Sequence, residues 1–397
     1  MGDPAIAELA RALEQRADEG LARVRRVVDG PQGPRIRIDG RPLLAFASND
    51  YLGLASDPAI VDAACAAARR YGVGAGASHL VVGHAAAHDA LERELAAFVA
   101  PCAGARALLF SSGYLANLAI LTALASRSDA IFADRLNHAC LTDGALLSRA
   151  SLDRYPHGDV DALAARIAAR GGASAARRRF VVTDAVFSMD GDIAPLPALL
   201  DLALRHDAWL VVDDAHGFGV LGGGRGSLAH FGLASERIVY MGTLGKAAGV
   251  AGAFVAGHPA VIETIVQSAR SYIYTTAAPP LTAEALRASL ALIAAGEDRR
   301  AHLAALVAAF RERAATLPWT LLPSQTPIQP LVIGDSRTTV EVSEALRQMG
   351  VYVPAIRPPT VPAGTARLRV SLSAAHGIAD VDELADALHA VAARPAA

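Results

Sequence analysis

The stretch V-Y-M-G-T-L-G-K-A-A-G-V-A-G, residues 239–252, sets a single lysine, Lys246, inside an apolar, glycine-rich segment. An apolar run at 238–241 leads into it and another follows at 253–255. An ammonium without a partner in such surroundings is costly, so the amine reaches solvent, loses its proton or enters a covalent bond. Schiff-base formation with an aldehyde is the third course, and lysines of depressed pKa are used for it. Read alone, the segment equally allows the stem to carry Lys246 out of a strand-to-helix turn into water.

Outward from that stretch, residues 90–255 alternate helical patterns with short apolar runs at 106–110, 130–133, 180–185, 209–212, 238–241 and 253–255. Strands buried on both faces and separated by helices predict an α/β domain with a mostly parallel sheet. Ligands in such folds sit at the carboxyl ends of the strands. The polar clusters fall there: S-S-G-Y (111–114), residues 134–138, F-S-M-D-G-D (187–192) and D-D-A-H-G (213–217), with Lys246 just past the fifth run.

Around this core the chain divides into an N-terminal arm (1–45), a large domain (46–280) and a smaller α+β C-terminal domain (281–397), the last opening on alanine- and leucine-rich helices. The arm is predicted helical over 6–28, followed by strands at 35–38 and 43–47 around the turn Asp39-Gly40. A helix over 58–71 closes at Gly72. The glycine-rich run 72–79 follows a helix, whereas a dinucleotide fingerprint follows a strand and opens a helix, so it reads as a connection that lets backbone approach something closely.

The 397 residues are 53% hydrophobic and 19% charged with a formal net charge of -2, a balance that argues against a nucleic-acid partner. The one basic run, 177–179, reads as a solvated loop. Cys65, Cys102 and Cys140 show neither a C-x-x-C pair nor metal-ligand spacing, so no disulfide framework and no metal site is expected. The first residues lack a signal-peptide core and no apolar run has the length of a membrane span, which makes the cytoplasm the expected location.

The clusters can be read by parts. Asp213 ends a buried strand and needs a cationic partner, for which a protonated heterocyclic nitrogen serves, and His216 is three residues on. Ser112 opens a helix whose free amides suit a phosphate, and Thr243 offers a hydroxyl to the same anion. Taken singly, Ser112 is equally read as an ordinary N-cap, and for Asp213 and His216 capping of the next turn is the lesser alternative. A phosphate cradle, an acid for a ring nitrogen and a lysine for an aldehyde together describe pyridoxal 5'-phosphate.

The set S-S-G-Y-L-A-N (111–117), F-S-M-D-G-D (187–192), V-D-D-A-H-G (212–217) and T-L-G-K (243–246) resembles the α-oxoamine synthases, a likeness running from S-N-D-Y-L-G-L (48–54) to S-L-S-A-A-H (371–376). The resemblance implies the aspartate-aminotransferase fold (fold type I), pyridoxal phosphate as cofactor and a homodimer with its active site at the subunit interface. It implies that Lys246 holds the cofactor and later moves the substrate Cα proton, that Asp213 pairs with the pyridine nitrogen, and that His216 meets the phenolic oxygen. His138 would stack on the ring, Gly113 and Tyr114 lie along the cofactor, and Ser188 and Thr243 hydrogen-bond to it. Arg369 and Asn49 would hold the amino-acid carboxylate, while Arg357, Thr360 and Arg23 of the arm, with Arg25 close behind, would meet the acyl substrate.

Within the family, I-R-P-P-T-V-P-A-G-T-A-R-L-R (356–369) is more similar to the member that condenses L-alanine with a pimeloyl thioester, on coenzyme A or a carrier protein, than to those using glycine. Glycine or serine with another acyl-CoA is the alternative. Ala75 and Ala77 interrupt a glycine-rich loop that in the family reads closer to G-S-G-G-S. A non-catalytic partner subunit of such a synthase would lack the lysine, and an NAD-binding oxidoreductase has only the glycine run in its favour.

Overall fold

The computed structural model describes residues 3–19, 21–170 and 176–393, in two compact units. The larger comprises Asn49–Ser188 and Asp192–Leu303, the other Met1–Ser48, Met189–Gly191 and Ala304–Ala397.

The larger unit is built on seven strands: β1 (Arg106–Phe110), β2 (Ala130–Asp134), β3 (Ser151–Tyr155), β4 (Arg179–Asp184), β5 (Ala208–Asp213), β6 (Ile238–Thr243) and β7 (Ala253–Gly257). Their spatial order is β1-β7-β6-β5-β4-β2-β3. The strands β2 to β6 pair in parallel, while β7 runs antiparallel to both β1 and β6. Six of the seven coincide with the apolar runs. The seventh, β3, pairs with β2 alone, and as an edge strand it carries S-L-D-R-Y, whose polar residues give no apolar run to detect.

Apolar strand residues such as Ile131, Val182, Val211 and Val239 and the helix Gly113–Leu124, through Ala116, Ile120 and Leu121, share one fully buried core. Each large aliphatic side chain buried there contributes about 1.5–3 kcal/mol. Such a core fixes the strand ends rigidly. In register, Asp184 of β4 lies opposite Asp213 of β5, so two carboxylates meet at adjacent carboxyl ends.

The helix Pro58–Tyr71 ends at Gly72, whose φ of 76° is in the left-handed region. The close approach expected of the glycine-rich run is not made by its glycines, since a Cβ on Gly72, Gly74 or Gly76 would meet nothing within 4 Å; it occurs beyond the run, where the π-type turn His79–Gly83 folds back on the chain. A Cβ on Gly83 would stand 2.1 Å from the carbonyl oxygen of Ala77. The basic run is no free loop: Arg177 and Arg178 both pair with the buried Asp129, at 3.7 and 3.4 Å.

The other unit holds two four-stranded sheets. One orders Val28–Asp29, Arg35–Ile38, Arg41–Ala45 and Val351–Tyr352; the other orders Thr320–Leu321, Ile328–Gly334, Ala366–Ser371 and Ala355–Ile356. The arm helix is Pro4–Asp18, shorter than the predicted 6–28. It buries no residue, so packing does not prolong it, and Val28 instead pairs with Ile38 in a strand, as suits a β-branched residue.

Candidate active site

Lys246 occupies a hairpin loop between β6 and β7, tied across its base by Leu244 N–H to the Gly252 carbonyl at 2.8 Å and within it by Gly249 N–H to the Lys246 carbonyl at 2.8 Å. Its half-buried Nζ is 2.9 Å from Nε2 of His216, so the lysine that looks isolated in the sequence has a neighbour. The buried His216 places Nδ1 2.7 Å from the Tyr51 hydroxyl, which donates to Asn49 Oδ1 at 3.1 Å. With Lys246 donating, the hydrogens run one way: Lys246 N–H to Nε2, Nδ1–H to the Tyr51 oxygen, and Tyr51 O–H to Asn49. Tyr51 was not legible as functional, although it lies two residues from Asn49 in the same polar loop.

Asp213, buried at the end of β5, accepts from Ala215 N–H at 3.0 Å and from Asn117 Nδ2 at 2.6 Å. Among the described residues no lysine or arginine forms an ion pair with it. Beside it, burial first and then the Asp213 charge push the Asp184 carboxyl well above the usual carboxylate range. A cationic ring at Asp213 would relieve this acidic pair.

His138 caps the helix Ala139–Ser148 and donates its main-chain N–H to Asp184 Oδ2 at 3.1 Å. Desolvation, opposed by Asp213 and reinforced by Lys246, shifts the ring below its ordinary pKa. Tyr114 stands edge-on to it with centroids 6.5 Å apart.

The helix Gly113–Leu124 starts beside β6: a Cβ on Gly113 would lie 4.0 Å from Thr243 Oγ1. Ser112 is the cap, accepting from Leu115 N–H at 3.3 Å, which leaves the first-turn amides of Gly113 and Tyr114 for an anion. Thr243 is buried and donates to the Gly252 carbonyl at 3.2 Å. Ser188 is half-buried at the turn after β4, which closes through Phe187 N–H to the Asp192 carbonyl at 3.0 Å.

That turn has a support invisible in the sequence. His157, after β3, lies 3.1 Å from Asp134 through Nδ1 and 2.9 Å from Asp192 through Nε2, with its ring edge-on to Phe187. Burial alone would lower its pKa, but the two carboxylates overcome it and hold the ring protonated to about 10.

In the smaller unit, Arg369 is buried and donates to Ser371 Oγ at 2.6 Å. Arg357 reaches the Ala22 carbonyl at 2.9 Å, which brings it to the arm next to the exposed Arg23. Thr360 is exposed, its N–H on the Arg357 carbonyl at 3.1 Å.

An amine in the loop joining β6 and β7, a buried carboxylate without an ion pair among the described residues, and a helix start beside a threonine match the aldehyde, ring nitrogen and phosphate of pyridoxal phosphate. Residues 41–388 match the model of the family described as aminotransferase class I and II, and the chain belongs to that family. A high-resolution structure of a serine palmitoyltransferase with its PLP internal aldimine superposes with a TM-score of 0.90 at 28% identity, covering 98% of each chain.

Within the family the chain stands with the 8-amino-7-oxononanoate synthases. It is 59% identical to that of Nitrosospira multiformis over 384 residues, 96% of this chain and 95% of the relative. The solved synthase of Francisella tularensis superposes with a TM-score of 0.75 at 31% identity, over 87% of this chain and 96% of that one.

Proposed function

We propose that this protein condenses L-alanine with a pimeloyl thioester, releasing carbon dioxide and the free thiol carrier to leave 8-amino-7-oxononanoate, a step of biotin synthesis in the cytoplasm. The observation that carries the reading is Lys246 Nζ on His216 at 2.9 Å in the same unit as a buried Asp213 without an ion pair among the described residues.

Pyridoxal 5'-phosphate bound there supplies an aldehyde for amines and a protonated ring that draws electrons from the neighbouring carbon. Lys246 is the residue to hold it and afterwards to take the alanine Cα proton on Nζ and return it. Asp213, oriented by Asn117 and Ala215, keeps the ring nitrogen protonated. His216, which receives the Lys246 hydrogen bond, would meet the cofactor's phenolic oxygen. His138 would cover the ring, Gly113, Tyr114 and Thr243 would serve the phosphate side, and Ser188 would add a hydroxyl. The alanine carbon forms its bond to the thioester carbonyl as the thiolate leaves, and the carboxylate departs as carbon dioxide.

Arg369 and Asn49 are each proposed, on the family resemblance, to serve the amino-acid carboxylate, a partner that a guanidinium suits. Arg357, Thr360 and Arg23 are assigned to the acyl chain and its distal carboxylate. The arm, large domain and small domain are proposed at 1–45, 46–280 and 281–397, and the working form is proposed to be a homodimer. Among the described residues no helix is long and apolar enough to cross a membrane.

The test is borohydride reduction of the holoprotein followed by peptide mapping, with thiol release measured in parallel. Label on Lys246 and thiol freed from pimeloyl-CoA with alanine are expected. Label on another side chain refutes the site, and thiol release from palmitoyl-CoA with serine but not from pimeloyl-CoA with alanine refutes the substrates.

A further inference from the structure

A line of side chains joins the exposed His138 to the buried Asp213 through Cys140 and Asn117. His138 Nδ1 is 2.8 Å from Cys140 Sγ, Sγ is 3.1 Å from Asn117 Nδ2, and the same Nδ2 is 2.6 Å from Asp213 Oδ2. Cys140 and Asn117 are both buried.

The hydrogens along this line can be assigned by counting donors. A carboxylate only accepts, so the amide nitrogen of Asn117 must face Asp213, because the flipped amide would set oxygen against oxygen. Its second hydrogen points at the sulfur. Among the described residues Asn117 Oδ1 is buried without a partner, a cost that the fold accepts while both N–H groups are used. The sulfur, already receiving a hydrogen bond, has its own S–H left for His138 Nδ1. That nitrogen also receives the Cys140 main-chain N–H at 3.3 Å. Burial keeps the thiol protonated, its pKa pushed up to about 12, and lowers that of the imidazole.

Two hydrogens therefore converge on Nδ1, and the ring's own hydrogen must sit on Nε2. We infer that Cys140 and Asn117 are positioning residues that lock His138 in its Nε2–H tautomer and couple it to Asp213. The ring then serves as a hydrogen-bond donor to a bound molecule and not as a base. The tautomer follows from the contacts alone, whereas its catalytic consequence rests on the function proposed above.

The experiment is nitrogen-15 NMR of the holoenzyme labelled at histidine, with the His138 signals identified by their loss in His138→Gln. The expected spectrum has an unprotonated Nδ1 and a protonated Nε2 for His138; the reverse pattern, or protons on both nitrogens, overturns the inference whatever the substrate. Cys140→Ala removes the S–H, and Cys140→Ser keeps a donor. The alanine variant is expected to lose about tenfold in kcat and to show both tautomers, while the serine variant keeps one tautomer and stays within about twofold. A single Nε2–H tautomer and full kcat in Cys140→Ala would remove the thiol from the lock. Thermal melts of both variants separate a folding defect from lost positioning.

Discussion

His157→Gln tests whether a permanent charge holds the turn that carries Ser188. The imidazole bridges Asp134 and Asp192 and keeps its proton to about 10, against about 6.5 for a free histidine. At face value that difference is worth roughly 5 kcal/mol. With 29% of the side chain exposed, solvent screening brings it to about 2 kcal/mol. Because the folded-state value lies above the unfolded one, the contribution is complete below about pH 6.5 and is lost as pH rises toward about 10.

Glutamine fills similar space without charge, and Asp134 retains the amides of Leu136 and Gly158, each at 2.8 Å, so its carboxylate is not stranded. Thermal melts of both proteins at pH 6, 8 and 10.5 should show the variant lower by roughly 4–8 °C at pH 6, a gap that closes at the highest pH. An equal gap at all three pH values would refute the charge and leave His157 as a spacer against Phe187.

Four further substitutions probe the same unit. Tyr51→Phe removes the partner of His216 Nδ1 and should cost about tenfold in kcat/KM with the melting temperature nearly unchanged, as steady-state kinetics and a melt will show. Asp184→Asn should stay within about fivefold of the parent activity because that carboxyl is already driven toward its neutral form, whereas Asp213→Asn should lose about 100-fold or more; equal losses would contradict the division of charge between them. Gly226→Ala places a Cβ 2.3 Å from Asp214 Oδ2 and 2.5 Å from the Tyr240 hydroxyl at a φ of 95°, and should destabilise by about 3 kcal/mol in denaturant titration.

Six strands were legible because burial on both faces leaves near-continuous apolar runs, in the edge strand β1 as in the central ones, and with them the strand ends where Asp213 and the Ser111 cluster lie. The edge strand Ser151–Tyr155 was not legible, since one open side lets Asp153 and Arg154 stand in it. His157 was hidden with that strand. Its two carboxylates come from Asp134 and Asp192, which parallel crossovers bring from 23 and 35 residues away. Spacing exposes partners one turn apart on a helix, not those that meet through sheet register. Asn117 and Cys140 escaped for the same reason: each looks like ordinary helix filling until 96 residues later Asp213 arrives beside Asn117. The arm helix was overextended because a periodic pattern was read where no core exists to hold it.

The loop that carries Lys246 is stitched to the sheet at its base and across its own turn, so the main chain there is a poor candidate for movement during turnover. In the proposed mechanism, whatever travel the amine makes between holding a molecule and ferrying a proton must come from swivelling of its four methylenes. That restricts the choreography to rotamer exchange over a few ångströms, on the nanosecond scale, and it leaves any slower gating of the reaction to be sought in other parts of the protein.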